Sequence, residues 1–316
     1  LIARLLMGLV GGGFVVGIKM IAEWFPPQKM GTAQGIYAGW GNFGSAFATF
    51  SLPLIALLFS EESGWRIATG LSGLACLIWA VVYYRFCPDA PAKDQNFLVD
   101  LHGVIEVTSH KDLTLQILFL FPVYGAVTLL IWKLSQHPFS LLSNSLSITL
   151  ILGMVFLFLL NALRCWKINI PRLQHPTPEE DKYEFSQIAI LSLVYSLTFG
   201  SELAVVSMFP QFLETTFSLS VGIAGMLGAS YAFMNLVARP GGGWISDRFG
   251  RRRTLFIMTF GGMASHWLMG EIDSSWQLTS AITLAIIGSI FLKAGNGACF
   301  AVIPLISKPL TGKLAG

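Results

Sequence analysis

Long apolar stretches separated by short polar turns dominate the pattern of this chain. A bilayer core of roughly 30 Å requires about 20 apolar residues per helix, and nine stretches reach that length. They lack the alternation of apolar and polar positions that membrane β-strands show. The predicted helices lie near residues 1–24, 31–59, 67–86, 113–133, 146–165, 186–210, 219–245, 254–270 and 278–306. The pattern therefore predicts an all-α, polytopic membrane protein.

Composition and charge agree with a membrane location. Hydrophobic residues make up 54% of the chain and charged residues 12%, with a mean hydropathy of +0.66, whereas soluble domains carry about 25% charged residues. Fourteen of the twenty lysines and arginines lie in one alternating set of connections, and only Arg66 and Lys133 lie in the other set. The positive-inside rule places the richer set in the cytoplasm. The net charge of +3 thus reports topology and indicates no nucleic-acid partner.

The histidines and cysteines form no recognisable catalytic or metal-binding pattern. The five histidines fall in predicted loops or at helix ends, without a zinc-protease, nucleophile-elbow or phosphate-cradling motif. Cys76, Cys87, Cys165 and Cys299 have neither paired spacing nor metal-ligand spacing, which predicts buried, reduced thiols. We therefore expect no enzyme activity, no metal site and no cofactor.

Arg239 is a cation well inside a predicted helix. It lies seven residues before Ser246, which at 1.5 Å per residue is roughly 10 Å from the helix end. An arginine at membrane depth costs about 2.5 to 3.5 kcal/mol, so it tends to persist where it faces a cavity or a partner. Tyr231, Asn235 and Arg239 recur every four residues and form one polar stripe. Two interpretations stay open: a ligand-binding arginine, or a snorkelling or capping arginine beside Pro240.

A glycine stripe marks the second predicted helix. Gly31, Gly35 and Gly39 recur every four residues, and Asn42 follows on the same face. Small residues allow another backbone to approach closely, and the Asn42 amide can donate a hydrogen bond to an anion. The stripe is typical either of a helix-packing seam with a satisfied Asn or of a ligand path, and both can hold together.

Two further charges lie inside predicted helices. Glu202 is the carboxylate placed deepest in an apolar stretch, and Lys293 lies in the middle of another. A membrane carboxylate either carries protons or neutralises a cation. We therefore expect Glu202 to take part in proton coupling or to neutralise a cation such as Lys293, and Lys293 to assist an anion path.

A charged turn joins two of the predicted helices. Asp247, Arg248, Phe249, Gly250, Arg251 and Arg252 follow Gly243 at a spacing that resembles the loop signature of the major facilitator superfamily. The glycines allow close helix approach and a positive-φ turn, and Asp247 can accept hydrogen bonds from a helix end or pair with an arginine. The alternative is a plain cluster of positive charge that anchors the cytoplasmic side.

Three segments resemble a narrower family, the nitrate/nitrite porters of that superfamily and especially the cyanobacterial nitrate permeases. They are residues 38–44 (AGWGNFG), 198–208 (TFGSELAVVSM) and 238–242 (ARPGG). The resemblance implies the major facilitator fold, with the chain covering about the family's fourth to tenth helices. It also implies two additional hydrophobic segments between the sixth and seventh helices.

The same resemblance implies roles for individual residues. Nitrate is a planar monovalent oxyanion, which a planar guanidinium suits better than an ammonium group. Arg239 would bind the anion, and Asn42 and Tyr195 would orient it. The other residues implied to line or shape the path are Phe14, Phe199, Gly39, Gly41, Gly44, Asn296 and Phe300. For each phenylalanine, ordinary helix packing stays open.

The predicted organisation has three parts. Residues 1–90 belong to an N-terminal bundle, residues 91–185 to a central insert, and residues 186–316 to a C-terminal bundle. The chain is interpreted as a fragment. Segments 113–133 and 146–165 either span the membrane or lie at its interface, since Pro122, Asn144 and Asn161 interrupt their apolar pattern.

The predicted function is secondary transport of nitrate, and also of nitrite, across the cell membrane by alternating access. The lipid bilayer is the implied surrounding, and protons are a candidate coupling ion. The alternatives are a major facilitator transporter for another small solute, such as a sugar or a drug, and a non-transporting membrane receptor. A membrane enzyme is disfavoured because the chain lacks a catalytic constellation.

Overall fold

The computed structural model describes residues 11–59, 63–88, 104–174 and 182–306, and these residues form ten α-helices. In chain order they are α1 (Gly12–Trp24), α2 (Met30–Leu57), α3 (Gly64–Phe86), α4 (His110–Ser135), α5 (Asn144–Leu173), α6 (Phe185–Phe217), α7 (Val221–Phe233), α8 (Asn235–Phe249), α9 (Arg251–Gly270) and α10 (Leu278–Ile306). Each predicted stretch contains a helix. The predicted stretch 219–245 differs, because a turn at Met234 divides it into α7 and α8. The all-α prediction is confirmed.

Six of the described helical segments are long and apolar enough to cross a membrane: α3, α4, α5, α6, α10 and the continuous run Val221–Phe249. The nine predicted spans include three more, which do not reach this threshold. The helix α1, Gly12–Trp24, has 13 residues, which is too few to cross a bilayer core. In α2 the frequent glycines and small polar residues lower the hydropathy, and α9 begins with three arginines.

One compact unit combines Leu1–Gln95 with Ser192–Gly316. Among its described helices, α8 and α10 pack against each other and both contact α2. The helix α10 lies deepest, since every residue from Leu292 to Ala301 is buried. This burial accounts for the small residues of α10, because only small side chains allow three helix backbones to meet.

The glycine stripe of α2 is a packing seam against α8. A methyl group at Gly31 would lie 2.6 Å from the Gly243 carbonyl oxygen, and one at Gly35 would lie 2.6 Å from that of Arg239. At Gly39 the corresponding distance to the Asn235 oxygen is 2.7 Å. The four-residue repeat therefore brings α2 against the backbone that carries Arg239.

Replacing Gly35 by alanine is expected to lower the thermal unfolding temperature of the purified protein by several degrees. The added methyl would meet backbone atoms of Arg239 and Pro240, which cannot rotate away, and overpacking of this kind costs about 1 to 3 kcal/mol. Gly41→Ala is the matched control, because nothing lies within 4 Å of a methyl group there. Equal unfolding temperatures for the two variants would contradict a tight seam.

The second compact unit, Asn96–Leu191, contains α4 and α5. Tyr124 on α4 and Asn161 on α5 are hydrogen-bonded to each other. Pro122 does not interrupt α4, and Asn144 begins α5 after the N-cap Ser143. These residues therefore give no reason to place the two segments at the interface, and both helices are long enough to span.

Hydrogen bonds join the two ends of this second unit. The Thr108 hydroxyl donates to the Tyr183 carbonyl at 2.8 Å, and the Tyr183 hydroxyl donates to the Glu106 carbonyl. Burial, together with the nearby carboxylates of Asp112 and Glu106, raises the pKa of the Tyr183 hydroxyl, so it stays a neutral donor. A hairpin of two helices that enters and leaves at one end is the arrangement expected of two full spans.

Candidate functional site

Arg239 is fully buried in the first unit and is held by two side chains. Its Nη2 donates to Glu202 Oε2 at 2.9 Å, and its Nε donates to Asn235 Oδ1 at 2.7 Å. Nη1 makes no hydrogen bond with the described residues, although the Tyr195 hydroxyl lies close to the guanidinium. Arg239 therefore presents one free donor group at a buried position.

Glu202 of α6 is the centre of the polar cluster. Besides Arg239, its carboxylate accepts from the Asn235 and Asn296 amides, each at 2.8 Å. Lys293 Nζ lies 3.5 Å from Oε1. Asn296 is oriented in turn by Thr198, whose hydroxyl donates to its Oδ1 at 2.6 Å. Helices α6, α8 and α10 thus meet around one carboxylate.

Lys293 is the second buried cation of the cluster. Its Nζ lies 3.9 Å from the centroid of the Tyr231 ring, a cation–π contact, and makes no hydrogen bond among the described residues. Tyr231 on α7 is itself held by Ser289, whose hydroxyl donates to its carbonyl at 2.7 Å. Arg239 and Lys293 are cations and Glu202 is an anion, so the three side chains together carry a net formal charge of one positive unit.

An aromatic cavity of about 650 Å³ lies beside this cluster. Tyr195 and Phe199 of α6 stack with ring centroids 5.1 Å apart, and Phe14 of α1 stacks on Tyr37 of α2 at 5.6 Å. The lining residues are Gly11, Phe14, Tyr37, Trp40, Gly41, Asn42, Tyr195 and Phe199. Phe199 belongs to both regions, because its ring centroid lies 5.3 Å from the Arg239 guanidinium carbon.

Several residues singled out in the sequence meet at this cavity. Phe14, Gly41, Asn42, Tyr195 and Phe199 line it directly. The Asn42 amide also donates to the Ala38 carbonyl of its own helix at 2.9 Å, so part of its hydrogen-bonding capacity is already in use. The remaining amide hydrogen and the oxygen are open to a ligand.

Other predicted residues lie elsewhere. Phe300 is buried and does not line the cavity. Its ring centroid lies 5.1 Å from that of Tyr195 and 5.5 Å from that of Phe14, both in edge-to-face packing. Asn296 serves the Glu202 carboxylate and does not line the cavity. Gly39 lies in the packing seam, and nothing lies within 4 Å of a methyl group at Gly44.

The sequence did not single out Thr198, Tyr37 or Trp40 as site residues, and it noted Asn235 only as part of the polar stripe. Tyr37 and Trp40 precede the predicted Asn42 on α2, so their position next to a signature segment was an available signal. Thr198 stands four residues before Glu202, which places both side chains on one face of a helix.

The charged turn between α8 and α9 caps the beginning of α2. Asp247 accepts from the Thr32 amide at 2.9 Å, from the Thr32 hydroxyl at 3.1 Å and from the Gly31 amide at 3.2 Å. Arg251 bridges Asp247 at 2.9 Å and the Pro27 carbonyl at 2.8 Å. These contacts satisfy backbone donors that a helix start leaves unpaired.

The remaining residues of this turn have separate roles. Gly250 adopts a φ of 98°, which a residue with a side chain rarely takes. Gly243 closes against the Gly31 backbone with no room for a methyl group. Arg248 stacks over Trp244 at 5.5 Å, and Arg252 is exposed. Asp247 is therefore the charged side chain that joins α8 to the start of α2, and Arg251 of α9 connects Asp247 to the Pro27 carbonyl just before α2.

The cysteine prediction is only half right. Cys165 and Cys299 are buried, whereas Cys76 and Cys87 are exposed, and all four are free thiols. Cys76 faces outward from α3, where the surrounding residues are also exposed apolar side chains. An apolar position in a membrane helix can face lipid, so hydrophobicity alone does not predict burial.

Comparison with known proteins places the chain in context. The family model described as Major Facilitator Superfamily matches residues 1–171 and 191–314. The chain is 42% identical to the nitrate/nitrite transporter NrtP of Nostoc punctiforme and 38% identical to that of Picosynechococcus, over 100% of its own length and 64% of each relative. It is 21% identical to the nitrite extrusion protein of Bacillus subtilis, over 94% of this chain and 54% of that protein.

The chain thus spans less than two thirds of the length of these curated relatives. No solved structure matches it.

Proposed function

Because this chain belongs to the major facilitator superfamily, we propose that it forms part of a secondary transporter that moves nitrate, and also nitrite, across the cell membrane. It is a multi-pass membrane protein that is not an enzyme. The observation that carries the proposal is the buried cluster of two cations and one carboxylate beside an aromatic cavity. Its excess positive charge is the complement of a monovalent anion.

The chemistry of the site favours a small planar oxyanion. The guanidinium of Arg239 has Nη1 unused, and Nη2 retains a second hydrogen beyond the one given to Glu202. The edge formed by Nη1 and Nη2 can therefore bind an oxyanion with two donors. The edge formed by Nε and Nη2 is already engaged by Asn235 and Glu202, so the anion would use the other edge.

The cavity wall supplies orientation rather than charge. Tyr195 offers a hydroxyl and Asn42 an amide, while Phe14 and Phe199 present ring surfaces. Weakly hydrated anions tolerate such a wall better than strongly hydrated ones, since fewer water contacts must be replaced. A sugar would need many more polar partners than the lining residues provide, so the sugar alternative is disfavoured.

The proposed transport cycle is alternating access, in which the seam between α2 and α8 opens and closes. The seam glycines and the Asp247 contacts join these helices in the present structure. In this proposal Glu202 acts as the counter-ion of the buried cations. The proposed role of Glu202 in proton coupling is based on these same contacts with Arg239 and Lys293.

The test is accumulation of ¹⁵N-labelled nitrate in a transport-deficient host that expresses the complete gene encoding this chain. We expect uptake above the vector control, with competition by unlabelled nitrate and nitrite but not by sulfate or glucose. Accumulation inside cells separates a transporter from a receptor, which would only bind. Normal membrane levels without nitrate uptake, or equal competition by glucose, would overturn the proposed function.

A further inference from the structure

The charge balance of the buried cluster depends on Lys293. Like Arg239 and Glu202, it is buried and lies outside the cavity lining, and the cluster meets the cavity at Phe199. Its Nζ approaches Glu202 Oε1, whereas Arg239 binds the other oxygen, Oε2. The two cations therefore share one carboxylate from opposite sides.

Other ionisable groups near the cluster do not alter this balance at neutral pH. Tyr231 and Cys299 are buried and Tyr195 is half-buried, and each of the three is formally neutral when it carries its proton. His266 on α9 lies within electrostatic range of Lys293 and directs Nδ1 to the Gly262 carbonyl at 3.1 Å. Among the described residues, the formal charge of the cluster is one positive unit with neutral His266.

We propose that Lys293 is the residue that makes this site attract an anion, an inference that rests on the proposed function. Arg239 and Glu202 alone form a neutral pair, in which an entering anion would compete with the carboxylate for the guanidinium. Lys293 supplies the second cation, so Glu202 is balanced and the charge of Arg239 becomes available to the substrate. Interactions between charges are strong at buried positions, where water screens them little.

Glu202 has a complementary role as a positioning residue. Its carboxylate accepts one hydrogen bond each from Arg239, Asn235 and Asn296. The ion pair with Lys293 is the fourth contact that converges on it. Without Lys293 the same carboxylate would become a local repulsive charge for the anion. Removing both charges at once should therefore restore attraction, whereas removing only Lys293 should abolish it.

The test compares Lys293→Met, Glu202→Gln and the double variant in nitrate uptake by the complete protein. We expect Lys293→Met to raise KM at least tenfold and the double variant to return KM to within about threefold of wild type. Glu202→Gln alone is expected to raise KM by less than Lys293→Met does, because the neutral amide oxygen can still accept from Arg239 but holds it less firmly. The matched control is the exposed ion pair of Lys19 and Glu23 on α1, 4.0 Å apart. Lys19→Met, alone or combined with Glu23→Gln, should leave the KM for nitrate unchanged.

Rescue distinguishes charge balance from structural support. If Lys293 were only a packing residue, Glu202→Gln would remove a further buried contact and deepen the defect. Should Lys293→Met fail to reach the membrane, the double variant decides, since it leaves no unbalanced carboxylate. The inference is overturned if Lys293→Met has an unchanged KM. It is also overturned if the double variant, at an equal membrane level, transports no better than Lys293→Met. In both cases an active wild type still supports the proposed function. Inactive wild type overturns both.

Discussion

Arg239→Lys is expected to reduce nitrate uptake at least tenfold at normal membrane levels. Lysine keeps the charge and can still pair with Glu202, but it loses the planar edge and the contact from Nε to Asn235. A hydrogen bond to a charged group contributes about 1.5 to 3 kcal/mol, and about 1.4 kcal/mol corresponds to a factor of ten. The measurement is the initial rate of labelled nitrate uptake across a range of concentrations.

Arg66→Lys is the matched control for this substitution. Arg66 is exposed and its guanidinium stacks over the neighbouring Trp65 ring at 5.3 Å, so the same chemical change there should leave uptake at the wild-type rate. Wild-type kinetics in Arg239→Lys would show that the arginine supports structure and would reopen the choice of substrate.

Asp247→Asn is expected to weaken the start of α2 and to slow transport. The asparagine loses the charge that pairs with Arg251, and its NH₂ group opposes the amide donors of Gly31 and Thr32. A loss of about 1.5 to 3 kcal/mol, the range for hydrogen bonds to charged groups, would speed local opening by roughly 10- to 100-fold. Hydrogen exchange of peptides that cover residues 27–35 measures this directly.

Asp273→Asn provides the comparison, because Asp273 is an exposed acid whose side chain accepts hydrogen bonds from nearby Ser275. Its substitution should leave exchange in α2 and nitrate uptake unchanged. If Asp247→Asn exchanged at the wild-type rate, the capping contacts would not be what holds α2 against α8.

The helical fold was largely predictable because the membrane constrains the backbone strongly. A segment in lipid must satisfy its own hydrogen bonds, so long apolar runs become helices whatever their local propensities. Pro122 shows the limit of local rules, since a predicted breaker lies inside α4 without ending it. The turn at Met234 shows the opposite case, a break between α7 and α8 that the apolar pattern did not indicate.

The candidate site was predictable residue by residue but not as an arrangement. Arg239 and Glu202 stood out because charges are rare in apolar helices. The sequence left two roles open for Glu202, which were proton coupling and the neutralisation of a cation such as Lys293. Of the two cations, the structure places Arg239 nearer to Glu202, at 2.9 Å, and Lys293 at 3.5 Å. The proton role stays untested.

The sequence by itself determined the all-α membrane class and the residues that share a helix face, and it predicts the orientation of the connections. These properties depend on composition and on the fixed periodicity of one helix. Only the tertiary structure decided that Arg239 and Lys293 share one carboxylate and that Phe199 contacts both the Arg239 guanidinium and the cavity. Such contacts depend on the rotation and axial register of α6, α8 and α10 against one another, which are set by packing between helices and leave no periodic trace in a single sequence.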